Sequence, residues 1–225
     1  MGNAAKVKVD SGKTSMIQAT RGADDMKDQT SSGRTVPKVK SQPVYAPLFA
    51  DFSARHHVLV AEPVGLEAVL RVIKDAGKIQ GLIELYWLGS EPEQLDRRLI
   101  VYAFDSVAEL NDALAKRLSA AVMGMRLYLA GREAFLWQVN LPAFAAGLRE
   151  DEIQREACGS WSRRVYCVHC RHTMEGVVSN PVACPNCGIL LEVRDHFSRA
   201  LAAYIGVVIN AEDPLDIPKP EEQFT

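Results

Sequence analysis

The sequence predicts an α/β domain on a mostly parallel sheet, followed by a small four-cysteine module with a short helix, with extended tails at both ends. Three observations carry this: apolar strand-like runs alternate with helical periodicity between about residues 44 and 160, four of five cysteines sit as two CxxC pairs after residue 160, and both ends lack periodicity. With 48% hydrophobic and 24% charged residues, the 225-residue chain has the profile of a globular protein able to bury a core. Its longest apolar runs fall well short of the roughly 18 residues that a membrane span needs, and no apolar leader follows the first lysines. A cytoplasmic location is expected.

The elements follow in order. HHVLVAE is a buried strand, and GLEAVLRVIKDAG a helix with Leu66, Val69, Leu70 and Ile73 on one face, closed by Gly77. GLIELYWLG and RRLIVYAF are the next strands. DSVAELNDALAKRLSAA is a helix opened by the capping-box pair Ser106 and Glu109, with Val107, Leu110, Leu114 and Leu118 inward. MRLYLAG is a fourth strand, REAFLWQVNLPAFAAGL a helix kinked or restarted near Pro142, and EIQREACG a closing strand. Strands alternating with helices imply a parallel sheet covered on both faces. His56 and His57 begin the first strand and are expected at a rim.

Residues 1–43 hold eight Lys/Arg against four Asp, a basic arm in a chain of net charge -2. The arm is polar and Gly/Ser/Thr-rich, predicting a disordered or partner-wrapping tail. Its GKT lacks the earlier glycine and the flanking strand and helix of a phosphate-binding loop. Residues 209–225, AEDPLDIPKPEEQFT with its preceding residues, form an acidic Pro-rich tail.

Cys167 and Cys170 form one CxxC and Cys184 and Cys187 the other, with 13 residues between the pairs. Two such loops converge four thiolates on one ion, so residues 161–208 are read as a zinc ribbon plus a C-terminal helix, Phe197, Leu201 and Tyr204 sharing a face and Gly206 ending it. A closed thiolate shell leaves no open position for water, which makes the zinc structural. An iron-holding, rubredoxin-like electron carrier and a redox dithiol are the alternatives; a nucleic-acid-binding zinc ribbon is a third, disfavoured by the acidic body. Arg163, Arg164, Arg171 and Arg194 lie near the knuckles in sequence and offer positive charge to offset the thiolates. His169 and His172 are expected exposed, and Cys158 a small core residue. A unit this small is expected to have almost no core beyond its metal.

VLVAEPVGLEAVLRVI resembles the opening βα unit of the pyridine-nucleotide domain of ferredoxin reductases, and GREAFLWQVNLPAFAAGLREDEIQREACG the end of that domain. The resemblance implies a Rossmann-like fold over residues 44–160 in degenerate form. Where the family has a Gly-rich turn, this chain has Glu62-Pro63-Val64-Gly65-Leu66-Glu67, placing two carboxylates where a phosphate would sit. Loss of the nucleotide is therefore expected, weak binding through Gly131 or Arg132 being the alternative. CPNCGILLEVRDHFSRALAAYIGV, joined to this domain, resembles the small subunit of dimethylamine monooxygenase and its relatives. That resemblance implies a noncatalytic subunit of a complex that uses NAD(P)H and O2 to demethylate dimethylamine to methylamine and formaldehyde. Haem, flavin and iron-sulfur centres would belong to partner subunits, a haem-bearing oxygenase and a reductase. No nucleophile, base and orienter stand at recognisable spacing, in keeping with such a role.

Overall fold

A computed structural model describes residues 41–76, 81–93, 95, 99–209 and 217–225, all within the compact unit Lys38–Thr225. Most of the basic arm, the helix stop expected at Gly77 and residues 210–216 lie outside the described residues.

Five strands, β1 (His56–Ala61), β2 (Leu82–Leu88), β3 (Ile100–Phe104), β4 (Met125–Gly131) and β5 (Ile153–Ala157), form one parallel sheet in the order β3-β2-β1-β4-β5. This is the doubly wound order, reversing between β1 and β4. Side-chain alternation divides the two faces. Val58, Val60, Leu127 and Leu129 meet helices α2 (Val107–Ser119) and α3 (Glu133–Ala145); Leu59, Ala61, Tyr128 and Ala130 meet α1 (Leu66–Ala76). Helix α2 starts as expected, Ser106 Oγ accepting from the Glu109 N–H at 3.2 Å, and buries Leu110, Leu114 and Leu118. Glu84 interrupts the apolar run of β2 because Arg117 of α2 reaches it at 2.6 Å. Pro142 lies inside α3 near its end. Residues 44–50 run as an extended strap beside β5, residues 51–54 turn after it, and Leu48 and Ala50 complete the α1-side core.

The second sheet has the order β7-β6-β11-β10-β9, from β6 (Arg163–Cys167), β7 (Thr173–Val177), β9 (Val182–Ala183), β10 (Leu190–Ser198) and β11 (Ala203–Val208). The helix expected over RDHFSRALAAYIGV is absent: this stretch is the end of β10, a turn and β11. Phe197 and Tyr204 are cross-strand partners with ring centroids 5.0 Å apart, not neighbours on a helix face. Gly206 is a site of close approach rather than a helix stop, since a Cβ there would meet Val165 Cγ1 at 2.9 Å. Three apolar residues at helical spacing matched the helix template, but pairing with β6 and β10 decides the conformation. The C-terminal residues also return to the body: β12 (Glu221–Glu222) pairs with β8 (Ser179–Asn180), and Phe224 is buried.

The expectation of an almost coreless ribbon is corrected as well. Val165, Met174, Val177, Leu191, Val193 and Phe197 form a buried cluster with Cys167 and Cys184, and Trp137 of α3 inserts into it. Trp137 Nε1–H donates to the Tyr45 hydroxyl at 2.7 Å; Tyr45 donates to Glu133 Oε1 at 2.7 Å, and Tyr204 of β11 to the same oxygen at 3.2 Å. Glu133 is 6% exposed, and burial, opposed by the two tyrosine hydrogen bonds, raises its pKa. One carboxylate thus ties strap, α/β domain and ribbon together. Truncation of Trp137 to alanine is expected to cost about 3–5 kcal/mol, measured by urea unfolding, with loss of ribbon and sheet signals together.

His57 does not sit at a rim; it is fully buried. Its Nδ1 lies 3.0 Å from the Tyr128 hydroxyl, which accepts from the Asp51 N–H at 3.0 Å. Ring and phenol share one hydrogen bond, and Nε2 on the other side of the ring is buried with no hydrogen-bond partner among the described residues. Burial lowers the His57 pKa, with Asp51 opposing and His56 and Arg126 adding to the effect. The unfolded chain binds this proton more readily than the native one, so the contribution is present above the ordinary value of 6.5 and lost as pH falls below it. Unfolding midpoints at pH 7.5 and 5.5 are expected to differ more for the wild type than for His57→Gln.

Candidate metal centre

The two CxxC loops are the same turn built twice. In the first, Cys167 N–H donates to His172 O and Arg171 N–H to Cys167 O, both at 2.9 Å. In the second, Cys184 N–H donates to Ile189 O and Gly188 N–H to Cys184 O, both at 2.8 Å. Each turn needs a left-handed residue after its second cysteine. Gly188 supplies one at φ 73°, and Arg171 adopts the other at φ 65°.

This geometry brings all four sulfurs within 4.8 Å of one another. Cys167 Sγ lies 3.9 Å from Cys187 Sγ, and Cys170 Sγ 3.6 Å from Cys184 Sγ. Four ligands at the Zn–S distance of about 2.3 Å around a tetrahedral ion stand about 3.8 Å apart, and these two sulfur pairs match that spacing. Backbone N–H groups also face the sulfurs, those of His169 and Cys170 at Cys167, of His172 at Cys170 and of Ile189 at Cys187. The Cys170 pKa is lowered to about 6, first by the Asn186 side chain and then by the His172 N–H. At Cys187 the Ile189 N–H pulls downward, but burial and the neighbouring sulfurs push the pKa up to about 12. Four crowded sulfurs share protons in this way, and a cation would replace those protons.

Three of the four arginines are engaged with carboxylates. Arg163 pairs with Asp195, Arg164 with Glu175 and Arg194 with Glu192. His169 and His172 are exposed and outside the sulfur cluster, and Cys158 is half-buried against the α1-side core, as expected. Asn186, missed in the sequence, is the side chain that reaches a sulfur; its place inside the second CxxC loop was the available signal.

The other place where ligands gather in this sheet order is the crevice at the carboxyl ends of β1 and β4. Here Glu62, following β1, is 1% exposed. Its Oε1 accepts from the Arg132 backbone N–H at 2.6 Å and from Arg132 Nε at 3.0 Å, and its Oε2 from the guanidinium at 2.6 Å. Arg132 is the N-cap of α3. A carboxylate of the chain therefore sits where that helix end and arginine would receive an anion. Gly131 permits the approach, since a Cβ there would meet Glu62 Cγ at 2.8 Å. The sequence placed both residues at the crevice, but not as partners.

Two family models match the chain, the dimethylamine monooxygenase subunit DmmA-like N-terminal domain over residues 37–153 and the C-terminal domain of the same description over residues 164–207. The chain belongs to the DmmA-like family. A curated relative from Ectopseudomonas mendocina (strain ymp), the heme-dependent oxidative N-demethylase delta subunit, is 34% identical over 75% of this chain and 87% of its own length. Among solved structures, this DmmA-like chain is similar to the ferredoxin reductase of carbazole 1,9a-dioxygenase (TM-score 0.40, 16% identity, 49% of this chain and 37% of that one). It is similar also to phthalate dioxygenase reductase (TM-score 0.37, 14% identity, 60% of this chain and 46% of that one). The chain thus spans less than half the length of either reductase. Among the described residues of the DmmA-like chain, no helix is long and apolar enough to cross a membrane.

Truncating Arg132 to alanine leaves the Glu62 carboxylate buried with one backbone donor. Because the guanidinium is half exposed, the expected loss is about 1–3 kcal/mol rather than the cost of a fully buried pair, measurable by chemical denaturation.

Proposed function

We propose that this chain is a noncatalytic, zinc-stabilised assembly subunit of a cytoplasmic oxidative N-demethylase acting on dimethylamine. In that reaction dimethylamine, O2, NAD(P)H and a proton give methylamine, formaldehyde, NAD(P)+ and water. The haem-bearing oxygenase and the flavin/iron-sulfur reductase are its partner subunits, and residues 44–160 and 161–208 are its two domains. The observation that carries the reading is the closed four-sulfur cluster of Cys167, Cys170, Cys184 and Cys187 in a chain of this family. All four ligand positions around a tetrahedral ion are sulfur, so a zinc held there has none left for water and acts structurally. The filled crevice at Glu62 and Arg132 supports the same reading, since hydride chemistry needs a bound nicotinamide.

Aerobically purified protein is expected to contain one zinc per chain and no visible chromophore. The same sulfur distances suit iron, so a red protein with stoichiometric iron would replace this reading with an electron-carrying one. Cys184→Ser is expected to abolish metal retention and lower the melting temperature.

Calorimetry is expected to detect no saturable NAD(P)H binding at physiological concentrations, because Glu62 already occupies the donors that would receive a phosphate. A dissociation constant in the low micromolar range contradicts the loss of nucleotide. Demethylation at the full rate by the other subunits without this chain would refute the assembly role.

A further inference from the structure

The chain has seven phenylalanines and three tryptophans. Five phenylalanines and two tryptophans are buried or half-buried; Phe49, Phe52 and Trp161 are 63%, 67% and 52% exposed. Two of these three lie on the strap and the turn after it, where residues 44–52 read VYAPLFADF. An extended segment alternates its side chains, and Leu48 and Ala50 point into the core. Phe49, between them, points outward; Phe52 is exposed in the turn that follows, where the Ala54 N–H donates to Asp51 O at 3.0 Å, and Val44 is exposed at the start of the strap.

The face continues beyond the strap. Val44 lines both a hollow of about 390 Å3, shared with Tyr45, Glu133, Trp161 and Arg163, and one of about 220 Å3, shared with Pro47, Phe49 and Ile153. The Tyr45 and Trp161 rings are 6.3 Å apart.

Charge indicates what covers this face. Asp51 pairs with Arg126, Glu156 with Arg71 and Glu150 with Arg155. The strap therefore offers no stripe of unpaired cations for a phosphate backbone or an anionic bilayer. In the larger hollow, the Arg163 guanidinium is paired with Asp195 and lies 4.0 Å from the centroids of both Tyr204 and Phe224. Glu133 is thus the second carboxylate beside one guanidinium, and both its tyrosine hydrogen bonds fall on Oε1. An aromatic hollow with a carboxylate in its floor suits a cationic side chain.

We propose that the strap face, Val44, Phe49, Phe52 and Trp161, is the surface on which another subunit of the demethylase docks. The partner lays an apolar segment along the strap and one lysine or arginine side chain into the hollow of Trp161, Tyr45 and Glu133. This rests on the assembly role above and names its surface. Central aromatic anchors with a polar rim are the usual anatomy of such a contact.

The test co-expresses the full chain with the haem-bearing and reductase subunits and measures the affinity of the purified chain for each. Phe49→Ser with Phe52→Ser, and separately Trp161→Ala, are expected to weaken binding to one of them by about tenfold or more. Melting temperature and metal content should be unchanged. Glu133→Gln, which keeps a carbonyl oxygen for both tyrosines, is expected to weaken it several-fold. Met123→Ser, at an exposed residue in the α2–β4 loop, should leave it intact. Strap variants that melt normally and bind as tightly as wild type overturn the proposal. A strap-dependent dimer of the chain alone in sedimentation also overturns it, assigning the face to a second copy. Wild-type chain that binds neither subunit refutes the assembly role itself, a failure visible without any variant.

Discussion

The buried Glu133 carboxylate is the constraint on which the arrangement of this molecule depends. It is the first residue of α3, where the helix end favours negative charge, and it accepts hydroxyl protons from a strap residue and from a ribbon residue. Removing a carboxylate from water is costly unless donors replace the water. Tyr45 and Tyr204 supply them, and in doing so they fix where strap and ribbon lie against α3. Trp137, one turn along the same helix, adds the apolar half of the junction by entering the ribbon core and donating to Tyr45. Arg155 stacks over its ring 5.2 Å away.

From this junction the character of the sulfur site follows. A free-standing metal knuckle depends on its ion for a core, but here Cys167 and Cys184 are members of an apolar cluster that includes a tryptophan from the neighbouring domain. The hydrogen bonds that set the two turns are backbone bonds, independent of side-chain identity. That is why Arg171 can stand where Gly188 stands in the second turn, although a left-handed arginine is less comfortable than a glycine there.

The crevice between β1 and β4 reads the same way. Sheet order places a ligand-receiving edge there whatever the sequence. Glu62 and Arg132 use that edge for an internal ion pair, so the position that a doubly wound fold reserves for chemistry becomes part of the packing between β1 and α3.

Much of this was legible in the sequence. Each strand of the parallel sheet, the Ser106 cap and the apolar face of α2 follow from local periodicity, because short-range sterics and burial on one face act through neighbouring residues. The spacing of Cys167, Cys170, Cys184 and Cys187 marked the four sulfurs that the fold gathers, since a CxxC loop closes over a few residues. Only the tertiary structure decided the rest. DHFSRALAAYIGV satisfied a helical template, yet its partners are β6, distant in sequence, and the front of β10, so long-range pairing overrode local pattern. His57 could not be distinguished from an exposed strand end until Tyr128 was placed 71 residues further along the chain. The partnerships of Glu62 with Arg132 and of Glu133 with Tyr45 and Tyr204 likewise join residues some 70 to 90 positions apart. Sequence spacing carries no information about such pairs; they exist because buried charge must find its donors wherever the fold brings them.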